Sequence, residues 1–141
     1  MNWLKMLRHS DGIRVLAVMG KDGDGQALHD IAERAKWHLE FAPNYESALK
    51  QIEREEFAVI LCDRDRTTGC QGWGDAVQKM VAASPHSCVI LTSSVKDDHL
   101  WQELIELGGY DVLTKPFQAE RVIRSVEFAW SHLRTKRVRE L

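Results

Sequence analysis

Five times along this chain a short, β-branched apolar run gives way to a longer stretch of helical period, and that alternation restricts the fold more than any other feature. Residues 13–19 (IRVLAVM) and 57–62 (FAVILC) are almost continuously apolar, as strands buried on both faces must be. Residues 88–92 and 110–114 read as two further strands, and 38–42 as a short, less apolar one. Between the strands, Leu28, Ile31, Ala32 and Ala35 fall on one helical stripe, as do Ala48, Leu49 and Ile52. Ala76, Val77 and Met80 repeat the pattern, followed by Leu100, Leu104 and Leu107 and then by Val122, Ile123, Val126 and Trp130. The punctuation agrees. Asn44 after Pro43 is placed to cap the second helix, Asp97 or Asp98 to start the fourth, and Gly108 with Gly109 to close it. Single helices between strands mean βαβ units. With right-handed crossovers they predict an α/β fold, a doubly wound five-stranded parallel sheet in the order 2-1-3-4-5.

The 141 residues suffice for one such domain. The pattern assigns residues 1–12 to an N-terminal extension, 13–133 to the domain and 134–141 to a basic tail on the last helix. Hydrophobic residues at 44% and charged ones at 28% exclude a disordered chain. A net charge of −2 argues against a nucleic-acid partner, and the cations Arg134, Lys136, Arg137 and Arg139 read as a solvated helix end. No apolar run approaches the roughly 20 residues of a membrane helix, so no membrane partner is expected. Neither a signal peptide's apolar core nor its cleavage site is visible. Cys62, Cys70 and Cys88 are odd in number without CxxC spacing, which points to a reducing, cytoplasmic setting. The six histidines show no HxxxH spacing, and no resident metal is expected from them.

Open α/β sheets bind ligands beyond the carboxyl ends of their strands. Strand 1 ends in Met19, Gly20 and Lys21, strand 3 in Asp63, strand 4 in Thr92 and Ser93, and strand 5 in Thr114, Lys115, Pro116 and Phe117. A carboxylate, a hydroxyl and an ammonium thus converge on one cleft. The stretch GKDGDG at 20–25 follows a strand and opens a helix, the setting of a phosphate-cradling loop, but Asp22 and Asp24 repel phosphate and no Walker pattern is present. It also lacks the ligand pattern of a calcium loop. A flexible turn with a helix start is the plainer reading.

The pieces FAVILCD ending in Asp63, VILTS containing Thr92 and GGYDVLTKPF containing Lys115 follow in this order, 29 and 23 residues apart. Together on a five-fold βα pattern they resemble the receiver domain of two-component response regulators, a flavodoxin-like fold. The resemblance implies phosphorelay signalling without an enzyme of its own. Asp63 would take a phosphoryl group from a phosphohistidine on a sensor histidine kinase, forming an acyl phosphate. Thr92 and Lys115 would each hold a phosphoryl oxygen, Ser93 would be small enough to admit the group, and the Lys115–Pro116 bond would be cis. Output would pass through protein–protein contacts, to another signalling protein or a second copy. The face of helix 4, strand 5 and helix 5 would carry them, with Trp101, Tyr110 and Trp130.

Two positions depart from that family pattern. Receivers end strand 1 in acidic residues that hold Mg²⁺, whereas Met19, Gly20 and Lys21 offer no ligand for a hard cation. A carboxylate attacking a phosphoryl group needs positive charge to offset the repulsion. Either Asp22 or Asp24 folds back to restore a Mg²⁺ site, or Lys21, Arg64 or Arg66 supplies fixed charge. Failing both, the chain is a pseudo-receiver in which Lys115 and Asp63 form a standing ion pair. The aromatic that receivers carry three residues before the lysine is here Val112, and Tyr110 lies two residues earlier on what should be the same strand face. The competing reading is a flavodoxin-like domain that binds a nucleotide or flavin phosphate on the first loop. A hydrolase finds no support, since there is no nucleophile elbow.

Overall fold

In the computed structural model, residues 12–66, 71–95 and 97–139 are described, with side chains as far as Lys136. Most of the expected N-terminal extension, Cys70 and the end of the basic tail lie outside the described residues. The elements run β1 (Arg14–Val18), α1 (Asp24–Ala35), β2 (His38–Ala42), α2 (Tyr45–Arg54), β3 (Val59–Asp63), α3 (Trp73–Ala83), β4 (Cys88–Ser93), α4 (Asp98–Glu106), β5 (Asp111–Thr114) and α5 (Ala119–Arg139). All pairings are parallel, in the order β2-β1-β3-β4-β5. This is the doubly wound order that the sequence pattern predicts.

The period-2 alternation of strand side chains divides the core into two layers. Val15, Ala17, Val59, Leu61 and Ile90 point to one face, where Leu28 and Ile31 of α1 and Val122, Val126, Trp130 and Leu133 of α5 cover them. Leu16, Val18, Ile60, Cys62, Val89 and Leu91 point to the other, under α2, α3 and α4. Both faces of β3 are shut off from water, which explains why its sequence is apolar without alternation. Fully burying one such leucine or isoleucine contributes about 1.5–3 kcal/mol. Trp37 and Trp130 belong to this core, and only Trp101 among these three is half-exposed. The expected interface role of Trp130 is therefore corrected: its ring lies beneath α5 with the Arg134 guanidinium 5.0 Å away.

Caps form where side-chain chemistry predicts them. Asn44 Oδ1 accepts the Ser47 amide at 2.9 Å and Asp97 Oδ1 the His99 amide at 2.9 Å, each satisfying an orphan donor of a helix start. Gly108, at φ 95°, turns the chain out of α4. Strand limits differ from expectation by one or two residues, and the differences matter at the site. Asp63 and Ser93 are each the last rung of their strand, Asp63 level with Thr92. Tyr110 stands just before β5, and its ring meets His132 of α5 with centroids 5.6 Å apart. It packs on the α1–α5 layer while Val112 packs on the opposite one, so the two do not share a face.

Candidate functional site

The carboxyl ends of β3, β4 and β5 are tied together by main-chain bonds just beyond the ladder. The Arg64 amide donates to the Thr92 carbonyl at 2.9 Å and the Lys115 amide to the Ser93 carbonyl at 2.9 Å. This brackets Asp63, Thr92 and Lys115 on adjacent strands, as their sequence positions predict. The Asp63 side chain is only 8% exposed, and its Oδ2 accepts from Lys115 Nζ at 3.0 Å. Its Oδ1 accepts the Asp65 amide at 3.1 Å, and its main-chain carbonyl accepts the Arg66 amide at 2.9 Å. Those two bonds close a tight turn that brings Arg66 back towards the rim.

Lys115 reaches a second carboxylate, Asp24 Oδ2, at 3.3 Å. Burial alone would lower the pKa of its ammonium. The bonds to Asp63 and Asp24 outweigh that desolvation, and the pKa lies above lysine's ordinary value. The Lys115–Pro116 peptide is cis, as the resemblance implies. Thr92 is fully buried and its Oγ1 has no hydrogen-bond partner among the described residues. A buried hydroxyl left unpaired is costly, so it is a feature that calls for an explanation. The neighbouring Ser93 hydroxyl is engaged locally, accepting the Val95 amide at 3.0 Å and donating to the Val95 carbonyl at 3.2 Å. A carboxylate nucleophile, an ammonium and an idle hydroxyl together suit capture of an oxyanion-bearing electrophile.

The β1 side of the rim is built differently. Met19 is buried, Gly20 has no side chain, and Lys21 turns to the groove beside Glu40 and Arg54 at the β2 edge. Gly25 packs so closely on the loop that a Cβ there would lie 1.8 Å from the Gly20 carbonyl oxygen. This contact holds the start of α1 against the end of β1 and presents Asp24 to Lys115. Hence one loop aspartate does fold back, yet it pairs with an ammonium. Among the described residues no three His, Cys, Asp or Glu side chains are grouped to hold a metal ion. With Met, Gly and Lys at the end of β1, the donor set does not fit Mg²⁺. A Cβ on Gly20 would stand 3.0 Å from Arg66 Nη2 and 2.9 Å from Asp22 Oδ1. Of the three cations considered from sequence, then, Arg66 is the one over the end of β1. The spacing of motifs along the chain contains no hint of that placement; the one signal for it was glycine where the pattern expects an acid.

Comparison with protein families matches residues 15–127 to the response regulator receiver domain. Comparison with curated proteins finds no match. Among solved structures, the beryllofluoride-activated NtrC4 receiver domain dimer is similar at 27% identity and TM-score 0.74, covering 85% of this chain and 98% of that one. The chemotaxis response regulator CheY4 of Vibrio cholerae is similar at 19% identity and TM-score 0.74, with 84% and 98% covered. A two-component response regulator from Clostridium difficile is similar at 19% identity and TM-score 0.73, with 82% and 93% covered.

Proposed function

This chain belongs to the response regulator receiver domain family, and from that premise we propose that Asp63 is its phosphoacceptor, with Thr92 and Lys115 as the groups that hold the phosphoryl oxygens. The observation that carries the reading is the idle Thr92 hydroxyl. It is fully buried on the rung level with Asp63 and has no bonding partner among the described residues. An acyl phosphate on Asp63 supplies the missing oxygen, while the Lys115 ammonium, already 3.0 Å from the carboxylate, neutralises a second. The donor is a phosphohistidine of a sensor histidine kinase. The phosphoryl group moves from imidazole nitrogen to carboxylate oxygen, breaking a P–N bond and forming a P–O bond. The nitrogen keeps the electron pair and takes up a proton.

Output runs through protein contact on the face of α4 and β5, to another signalling protein or a second copy. Trp101 and Ile105, one helical turn apart on α4 and 50% and 40% exposed, support that face. Tyr110 is held against α5 at its edge, and Trp130 drops out as core. The Asp24–Lys115 contact weighs against a ligand phosphate on the first loop, because the carboxylate is held where an anion would have to sit.

The test is intact mass after incubation with phosphoramidate, with Asp63→Asn as control. A gain of one phosphoryl group in the wild type and none in the variant is expected. No gain in either would overturn the reading and leave the pseudo-receiver, in which the Lys115–Asp63 pair is permanent.

A further inference from the structure

We propose that Arg66 replaces the divalent cation of this site, its guanidinium lying in space that glycine at position 20 leaves open, so that Asp63 is phosphorylated without metal. The inference rests on Asp63 being the acceptor. Three observations meet here. First, the side chains at the end of β1 offer no hard ligand, and Asp24, at the start of α1, is bonded to Lys115. Second, Gly20 does not sit in the left-handed region, so its backbone conformation does not call for glycine. What its missing side chain provides is room: a Cβ would meet Arg66 Nη2 at 3.0 Å and Arg66 Cζ at 3.8 Å. Third, Val18 is level with Cys62, so the residues after β1 run beside Asp63 and its turn, one strand spacing away. The turn closed by the Arg66 amide on the Asp63 carbonyl fixes the root of the arginine next to the acceptor. Asp22 Oδ1 lies over the same glycine, 2.9 Å from where its Cβ would stand.

A guanidinium suits the task because its forked donors match two phosphoryl oxygens at once and it stays charged at any working pH. The Asp63 oxygen attacks phosphorus and the P–N bond of the donor breaks. The leaving nitrogen keeps the pair and takes a proton from solvent, while Arg66 and Lys115 offset the negative charge gathered between carboxylate and phosphoryl group.

The experiment follows phosphoramidate labelling by intact mass in EDTA and in Mg²⁺. Wild type is expected to label equally in both. Arg66→Gln should label roughly 100-fold more slowly in EDTA, and Arg66→Lys should recover part of the rate. Gly20→Asp combined with Arg66→Gln should bring in a Mg²⁺ requirement. Arg66 is an exposed loop residue, and an unchanged urea midpoint in Arg66→Gln would show that the fold is intact. Labelling of wild type only in Mg²⁺, or an unchanged rate in Arg66→Gln, overturns the inference while leaving Asp63 as acceptor. No labelling of any chain under either condition overturns both.

Discussion

The two halves of the sheet's carboxyl rim are made of the same materials and held by different means. On the β3–β4–β5 half, Asp63, Thr92 and Ser93 are rungs of the ladder itself, buried and fixed by strand pairing. On the β1 half, charge is delivered by exposed residues, Asp22 and Arg66 in loops and Asp24 at the first position of α1, whose placement depends on glycines that let backbone and side chains come close. Chemistry set on strand ends inherits the rigidity of the core, whereas chemistry set on loops is adjustable. An unusual cation can therefore enter at the β1 side without disturbing Asp63.

The contrast is sharpest in stability. Leu61→Ala, two residues before Asp63 in β3, should cost about 2–5 kcal/mol in urea unfolding. A neutral substitution at exposed Lys21 should stay within about 0.5 kcal/mol. Equal effects would mean that the β3 core does not set the rigidity of the rim. Next comes Gly25→Ala. The added methyl meets the Gly20 carbonyl, so about 1–3 kcal/mol should be lost, and Asp24 should withdraw from Lys115. Nuclear magnetic resonance shifts of the Lys115 ammonium would report that withdrawal, and an undisturbed ammonium would sever the supposed link between the two halves.

Thr92→Val separates stability from function. It keeps the shape and removes an unpaired buried hydroxyl, so unfolding should be unchanged or harder by about 1 kcal/mol. Labelling of Asp63 should slow; faster or equal labelling would remove Thr92 from the site. The smallest effect is that of alkaline pH. Cys88, buried under α5, has its thiol pKa pushed up from 9.0 to about 11 by burial. Lys115 is also raised. For groups raised in the folded state, the favourable contribution is complete below the unfolded pKa and disappears as pH climbs through the folded one. Urea midpoints should thus be flat through neutrality and fall above about pH 9. A fall that begins near pH 7 would contradict both shifts.

The fold was legible because burial on both faces writes itself into sequence as uninterrupted β-branched runs, and helix caps as Asn44 and Asp97. The β3–β4–β5 half was legible for the same reason, since Asp63, Thr92 and Lys115 stand at or just beyond the ends of those runs. The β1 half was not. Which of Lys21, Arg64 and Arg66 would stand over Gly20 depends on the turn after Asp63, where the Arg66 amide bonds the Asp63 carbonyl, and that main-chain bond carries no residue signature for arginine. Tyr110 misled for a similar reason. Strand periodicity puts it on the face of Val112, but the ladder begins one residue later, and its ring goes to His132 instead.

The bonds from the Arg64 amide to the Thr92 carbonyl and from the Lys115 amide to the Ser93 carbonyl use atoms that nearly every amino acid possesses. The spacing of the three chemical groups is thus indifferent to side-chain drift in the connecting loops, and mutation can rewrite those loops while the distances persist. Proline alone lacks the donor. Positions 64 and 115 are junctions where that single residue type is forbidden, whatever else lineage or selection does around them.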